Sequence, residues 1–338
     1  MSLTATQLQQ KLSSISIGAN TCNFSIETCE KLTPTINKIN QLKKEKNALI
    51  LAHSYVSPEI LYGVADHVGD SFELSKAAQN SDHDIIIFAA VKFMAETAKI
   101  LNPSKKVYTP SEINGCSLAD SINALEVKRL KKKYPDYAFI CYINTSAEVK
   151  ALCDTCVTSS NVYNIIENFP NDNIYFLPDQ LMGKNVAAHL KKVKSKKNFR
   201  YYSGTCYVHE EYDPDLIDYL KLNHPEAAIV AHPECKPSII EKSTFVGSTS
   251  QMINYVQTTN HERYVMLTEC GLTARLQMED PTKKFIGSCT MCKYMKSNKL
   301  DQILDILETP NDHLEVKLDK TTSEKAKHSL LQMFKYSS

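Results

Sequence analysis

The sequence predicts an α/β fold: three pseudo-repeated, three-layer αβα domains with parallel sheets, set around a pseudo-threefold axis. Three observations predict it. Short apolar runs (NALILAH, DIIIFAA, YAFICY, AAIVAH) alternate with helical segments, the pattern of parallel strands covered on both faces by crossover helices. Landmarks recur in one order at nearly one spacing, as internal repeats do. Polar groups end the first strand of each unit at His53, Tyr142 and His232, in steps of 89 and 90, and hydroxyls open a later helix at Ser71, Ser159 and Thr249, in steps of 88 and 90. Finally, one cysteine follows the last strand of each unit, at Cys116, Cys206 and Cys292, in steps of 90 and 86. Three such units around one axis would point these groups at a common centre.

Residues 1–45 read as a polar lead-in that ends in a helix. In the first domain, 46–134, a buried strand ends at His53 and Tyr55, Pro58 opens a helix, and Ser71 is placed to cap the next. DIIIFAA, a helix and the strand KKVYTP then lead to Cys116. The second domain, 135–224, repeats the order: a strand ending at Tyr142 and Asn144, a hydroxyl-capped helix from TSSN, the strand NIYFLPD, a helix, and FRYYSG before Cys206. The third, 225–310, has a strand ending at His232 and Glu234, a capped helix from VGSTS, RYVMLTE, a helix and the strand KKFIG before Cys292. A strand at 313–318 and a last helix fill 311–338.

Lys+Arg and Asp+Glu nearly balance at a net +1 over 338 residues, which offers no general attraction for nucleic acid or anionic membrane. The clusters KRLKKK and KKVKSKK follow helical segments and read as solvated helix ends. No apolar run reaches the ~18 residues of a membrane span. The first 30 residues hold no Arg and no basic-then-apolar order, so no targeting peptide is expected. Eleven cysteines in a chain this long suit a reducing, cytoplasmic setting.

The chemistry centres on GTCYVHEEY, where Cys206, His209 and two carboxylates follow a strand. Ligands of open α/β sheets collect at that end of the strands. Three converging thiolates can bind zinc with a fourth ligand, or three irons of a 4Fe–4S cluster. The pairs Cys153/Cys156 and Cys289/Cys292 have C-x2-C spacing, but more than 130 residues part them, which weakens a four-thiolate zinc reading. Cys153, Cys235 and Cys270 read as packing residues. Ser71, Ser159 and Thr249 at helix starts suit an oligo-anionic substrate. His53, His209 and His232 are strand-end imidazoles suited to proton transfer, and Tyr55 and Tyr142 could donate to an oxyanion. Glu234 is the candidate general base, with burial expected to raise its pKa towards neutrality against the pull of a positive metal site.

The motifs LAHSYVSPEI, GDS, FMAETAKILNPSK, CSLAD, YINTSAEVKALCD, TSSN, FLPDQLMGKNVA, GTCYVHEEY, AHPEC, VGSTSQM, TECGL and CTMCKYMK, in this order, resemble the quinolinate synthase family. The resemblance implies three α/β domains around a central 4Fe–4S cluster held by Cys116, Cys206 and Cys292, with an open iron as Lewis acid. It implies condensation of iminoaspartate, supplied by an L-aspartate oxidase, with dihydroxyacetone phosphate to give quinolinate, the ring precursor of NAD. It places His53, Tyr55, Ser71, Tyr142, Asn144, Ser159, His209, His232, Glu234 and Thr249 in the substrate pocket. The chain departs from the family pattern at Ser54, often aromatic, and at Ile286, where a longer C-x2-C-x2-C motif would begin. A diphthamide-synthesis-like radical enzyme has a similar three-domain plan, but the dense set of strand-end polar residues favours a closed small-molecule pocket. An iron–sulfur or zinc sensor would need a partner surface that the charge balance does not offer.

Overall fold

A computed structural model describes every residue except 1, 13, 14, 18, 19, 23, 288, 289 and 338, and only the backbone at 15–17 and 20–22. It contains three parallel sheets. The first pairs strands His67–Gly69, Ala48–His53, Ile85–Ala89 and Lys106–Tyr108 in that spatial order. The second pairs Thr155–Val157, Ala138–Tyr142, Asn173–Leu177 and Asn198–Tyr201. The third pairs Phe245–Val246, Ala227–Ala231 and Arg263–Leu267, and an isolated parallel bridge from Tyr264 to Phe285 extends it. In chain order each sheet therefore runs second, first, third, fourth. The expected strand KKFIG is reduced to that bridge, held by two ladder hydrogen bonds, Tyr264 N–H to the Lys284 carbonyl and Ile286 N–H to the Tyr264 carbonyl.

The apolar runs explain the layers. Every residue of Ala48–His53 and Ala138–Tyr142 is buried, because helices cover both faces, and each fully buried Ile or Leu side chain contributes roughly 1.5–3 kcal/mol. The middle sheet is reinforced by the stacked rings of Phe139 and Tyr175, 5.2 Å apart. The expected strand at 313–318 is a single antiparallel bridge from Glu315 to Tyr108, on the edge of the first sheet. The closing helix Lys320–Tyr336 packs on Thr155–Val157, Ala147–Lys150 and Lys92–Leu101, so it joins the first two sheets. The lead-in is more structured than expected: a helix Ala5–Lys11 and an antiparallel pair Ile15–Ile17/Asn20–Cys22 precede the long helix Ile26–Glu45. No described helix is long and apolar enough to cross a membrane.

Candidate active site

The first strand of each large sheet ends in two polar residues spaced by two: His53 and Tyr55, Tyr142 and Asn144, His232 and Glu234. Residues two apart on an extended chain share a face. The first and third repeats make the same turn, in which the Tyr55 N–H donates to His53 Nδ1 at 3.3 Å and the Glu234 N–H to His232 Nδ1 at 3.4 Å. With Nδ1 accepting, a neutral ring carries its proton on Nε2. One cavity is lined by these six residues together with Ser71, Ser159, Thr249 and His209, and the thiols of Cys116, Cys206 and Cys292 border it too. All thirteen residues singled out from the sequence thus meet. The space open to the centres of water-sized molecules is about 80 Å³, whereas one water needs about 10–15 Å³ on that measure.

The hydroxyls do not cap their helices as expected. Asp70 caps Ser71–Gln79, with Oδ1 accepting from the N–H groups of Phe72 and Glu73 at 3.0 Å each. Ser248 caps Thr249–Thr258, and Asn161 starts Val162–Asn168. Ser71 and Thr249 are first helical residues, and Ser159 lies in the turn before its helix. Because a strong capping residue already serves each of the two longer helices, Ser71 and Thr249 are left to face the cavity.

Burial governs the ionisable groups. His53 and His232 are pushed down to about 3, in both cases chiefly by burial; Arg275 and nearby His232 add to it for His53, and His209 for His232. Both are neutral rings. Burial pushes Glu234 up, but His209, His232 and the Tyr142 hydroxyl outweigh it and hold the carboxyl at about 2. The expected rise towards neutrality is therefore corrected: Tyr142 donates to Glu234 Oε1 at 2.8 Å, and His209 Nδ1 lies 3.3 Å from Oε2. The stacked rings of His209 and His232, 4.6 Å apart, form the wall beside it. Tyr55 hydrogen-bonds with Thr249 at 2.9 Å and Thr268 at 2.8 Å, and burial raises its pKa.

The nine described cysteines are free of disulfides. Burial pushes Cys116 to about 12 and raises Cys206 and Cys292; in addition, negative charge on Cys292 opposes ionisation of Cys116, and charge on Cys116 opposes that of Cys206. Three thiols near enough to oppose one another suit a soft, multiply charged centre. Asn144 Oδ1 is buried without a hydrogen-bond partner, and His209 Nδ1 and Glu234 Oε2 have only their 3.3 Å contact with each other, which is not a well-formed hydrogen bond. The cavity thus has polar valence to spare for a bound group. A second donor set overlaps the first: ligand atoms of Cys206, His209 and Glu234 lie within 4.8 Å of one another. Cys289 lies outside the described residues. Cys153, Cys235 and Cys270 are buried away from the lining, as expected of packing residues. Cys156 pairs with Cys141 across neighbouring strands, their sulfurs 3.5 Å apart.

The family model NadA, described as Quinolinate synthetase A protein, matches residues 37–335. This chain belongs to the quinolinate synthase family. A quinolinate synthase from Alkaliphilus metalliredigens is 41% identical over 303 residues, covering 89% of this chain and 98% of that protein. The quinolinate synthase of Caldicellulosiruptor bescii is 42% identical over 299 residues, covering 88% and 96%. That of Aquifex aeolicus is 41% identical over 317 residues, covering 92% and 96%. The chain is an enzyme with quinolinate synthase activity, part of NAD biosynthesis.

Within this quinolinate synthase, sequence reasoning missed a set of buried residues behind the cavity. Asp179 is fully buried; its Oδ1 accepts from the Met182 N–H at 2.8 Å, and its pKa is raised, first by burial and then by Glu234. Thr268 joins Tyr55 to His209, whose Nε2 lies 3.2 Å from the Thr268 hydroxyl. Glu269 lines the cavity and pairs with Lys296 at 3.3 Å. A signal was available. Residues 91, 179 and 269 precede the helix after the third strand of each unit, in steps of 88 and 90, and two of the three are acids.

Proposed function

We propose that this enzyme condenses iminoaspartate with dihydroxyacetone phosphate in the cavity around Glu234, releasing phosphate and water, and that Cys116, Cys206 and Cys292 hold a 4Fe–4S cluster at its edge. The observation that carries the reading is the meeting of three unpaired thiols, one following each sheet, on a cavity lined by imidazoles, hydroxyls and a carboxylate. The strand order common to the sheets and the threefold spacing support a pseudo-threefold arrangement of domains at 46–134, 135–224 and 225–310, flanked by the lead-in 1–45 and the strand-and-helix tail 311–338. Cysteines that form no disulfide among the described residues support a reducing, cytoplasmic setting, where an L-aspartate oxidase would supply iminoaspartate. The balanced charge supports small-molecule partners over nucleic acid or membrane.

Held by the thiolates of Cys116, Cys206 and Cys292, such a cluster would supply Lewis-acid chemistry for a substrate oxygen. The protein does the rest. Ser71 and Thr249, at the N-terminal ends of their helices, and Ser159 receive carboxylate and phosphate oxygens. His53 and Asn144 complete the binding of polar groups, and His209, with Nδ1 3.3 Å from Glu234 Oε2, positions the carboxylate. Tyr55 and Tyr142, protonated across the working range, donate to a developing oxyanion. Glu234 enters ionised, and the arrival of an anionic substrate raises its pKa through like-charge repulsion. The carboxylate then accepts a proton from carbon or nitrogen as imine, enamine and carbonyl forms interconvert, and the carboxylic acid so formed returns it at the next position. Neutral His232 hydrogen-bonds to the reacting groups through its Nε2–H.

A single metal ion on Cys206, His209 and Glu234 is a second reading, favoured by the closeness of those donors. Iron and sulfide counts after anaerobic purification, with a quinolinate assay, separate the two. Iron and sulfide in equal numbers, lost in each of Cys116→Ser, Cys206→Ser and Cys292→Ser, support the cluster. One metal without sulfide, lost in His209→Gln, overturns it.

A further inference from the structure

Glu269 is only 1% exposed, and its two oxygens serve different parts of the molecule. Oε2 accepts from the Gly271 N–H at 2.6 Å and so caps the helix Cys270–Glu279. Capping requires one oxygen, and Asp, Asn or Ser usually supplies it. The longer Glu leaves Oε1 free to reach beyond the helix, where it accepts from the Cys292 N–H at 3.1 Å and lies 3.3 Å from Lys296 Nζ. Lys296 in turn donates to the Tyr55 carbonyl.

The node is closely filled. A Cβ on Gly271 would sit 2.6 Å from Glu269 Oε2, 2.8 Å from Lys296 Nζ and 2.8 Å from the Tyr55 Cα. On the same helix, Arg275 donates to the Ser54 hydroxyl at 2.7 Å. The loop carrying Cys292 is thereby tied, through one buried carboxylate and one ammonium, to the loop carrying Tyr55 in a different sheet's unit. At the other two thiols the arrangement differs: the Cys116 N–H is bonded locally to Asp120 at 3.2 Å, and Cys206 starts a short helix of its own.

We propose that Glu269, acting with Lys296, is a positioning residue that fixes Cys292 relative to Tyr55 and so determines how firmly this cysteine holds its metal group. The proposal rests on the reading of Cys292 as a ligand. It separates binding by the third cysteine from binding by the other two. An Asp at 269 would still cap the helix but would fall short of Cys292, whereas a Gln would place an amide donor against one of the two N–H groups.

The test uses the anaerobically loaded enzyme and its metal-free form, as parent, Glu269→Asp, Glu269→Gln and Lys296→Met. Metal release to excess ferrous chelator is timed, thermal midpoints are recorded, and iodoacetamide labelling of each cysteine in the metal-free form is followed by peptide mass spectrometry. Supporting an atom that orients a ligand typically changes metal affinity about 10–100-fold, so release is expected to quicken on that scale in all three variants. Labelling of Cys292 is expected to speed up while Cys116 and Cys206 label at the parental rate. Parental release and labelling in every variant would overturn the proposal, as would equal acceleration at all three cysteines with a large fall in thermal midpoint. Cys292→Ser keeps the two ideas apart: full metal content in that variant refutes the ligand reading, while selective labelling of Cys292 in the metal-free Glu269 variants still decides the positioning role.

Discussion

Asp179 and Glu269 occupy one position of the repeat, each heading the helix that follows the third strand of its sheet, yet they live in opposite surroundings. Asp179 faces another carboxyl, Glu234, and burial with that neighbour raises its pKa. Glu269 faces Lys296, whose charge works against the rise that burial causes. An acid beside an acid is pushed further towards its protonated form. An acid beside an ammonium is drawn part of the way back, although burial still leaves Glu269 raised, and its contact with Lys296 can clamp two loops. In the first repeat the same position is Val91, with no side-chain cap at all. A repeated backbone thus supplies one location, and its neighbours decide what chemistry that location performs.

The largest expected effect sharpens the acid–acid side. Glu234→Gln should fold and keep its metal, while turnover falls roughly 10²–10⁴-fold, the usual scale for losing a general acid–base group. Single-turnover quinolinate formation beside a metal count checks this, and parental turnover would remove Glu234 from proton transfer.

Next comes the ion pair. Lys296→Met leaves a buried carboxylate without its counter-charge, a change worth about 3–5 kcal/mol in a fully buried pair. Lys296 keeps 21% of its side chain exposed, so about 2 kcal/mol is expected, the water around it supplying part of the compensation. Denaturant midpoints measure it; a loss below about 0.5 kcal/mol, the usual range of a surface change, would mean the pair contributes little.

Asp179→Asn should be milder than either. Asn keeps an acceptor for the Met182 N–H and offers a donor towards Glu234, as the protonated acid does. Turnover is expected to stay within about tenfold of the parent, one acid–base decade below the Glu234 change. A loss as large as that of Glu234→Gln would mean that Asp179 must ionise during the reaction.

The smallest effect is on pH dependence. His53 and His232 have folded values near 3 against an ordinary 6.5, so between those limits the unfolded chain binds protons that the folded one does not. Stability therefore falls as pH drops from 6.5 towards 3. Glu234, lowered from 4.5 to about 2, acts in the same direction between pH 4.5 and 2. Asp179, raised from 3.8, acts oppositely: its folded form gains stability as pH falls through its elevated pKa towards 3.8. Thermal midpoints of the parent should fall below pH 6.5, and His232→Gln should flatten the decline. A decline of equal slope in the variant would remove His232 from the account.

Repeat spacing and apolar runs made the three sheets legible, because parallel strands covered on both faces leave near-continuous apolar stretches. Strand-end residues such as His53, Tyr142 and Glu234 were legible for the same reason: a polar group closing an apolar run marks where the chain leaves the sheet. The family, too, was carried by linear motifs. Tertiary structure alone decided that Asp70 and Ser248, rather than Ser71 and Thr249, cap their helices, since capping depends on local backbone angles within one residue. It alone decided that Glu234 is held ionised, because His209 lies 25 residues away in sequence but 3.3 Å away in space. Sequence order determined which groups reach the strand ends; charge balance in the cavity depends on through-space distances between units, and these exist only once the sheets have packed.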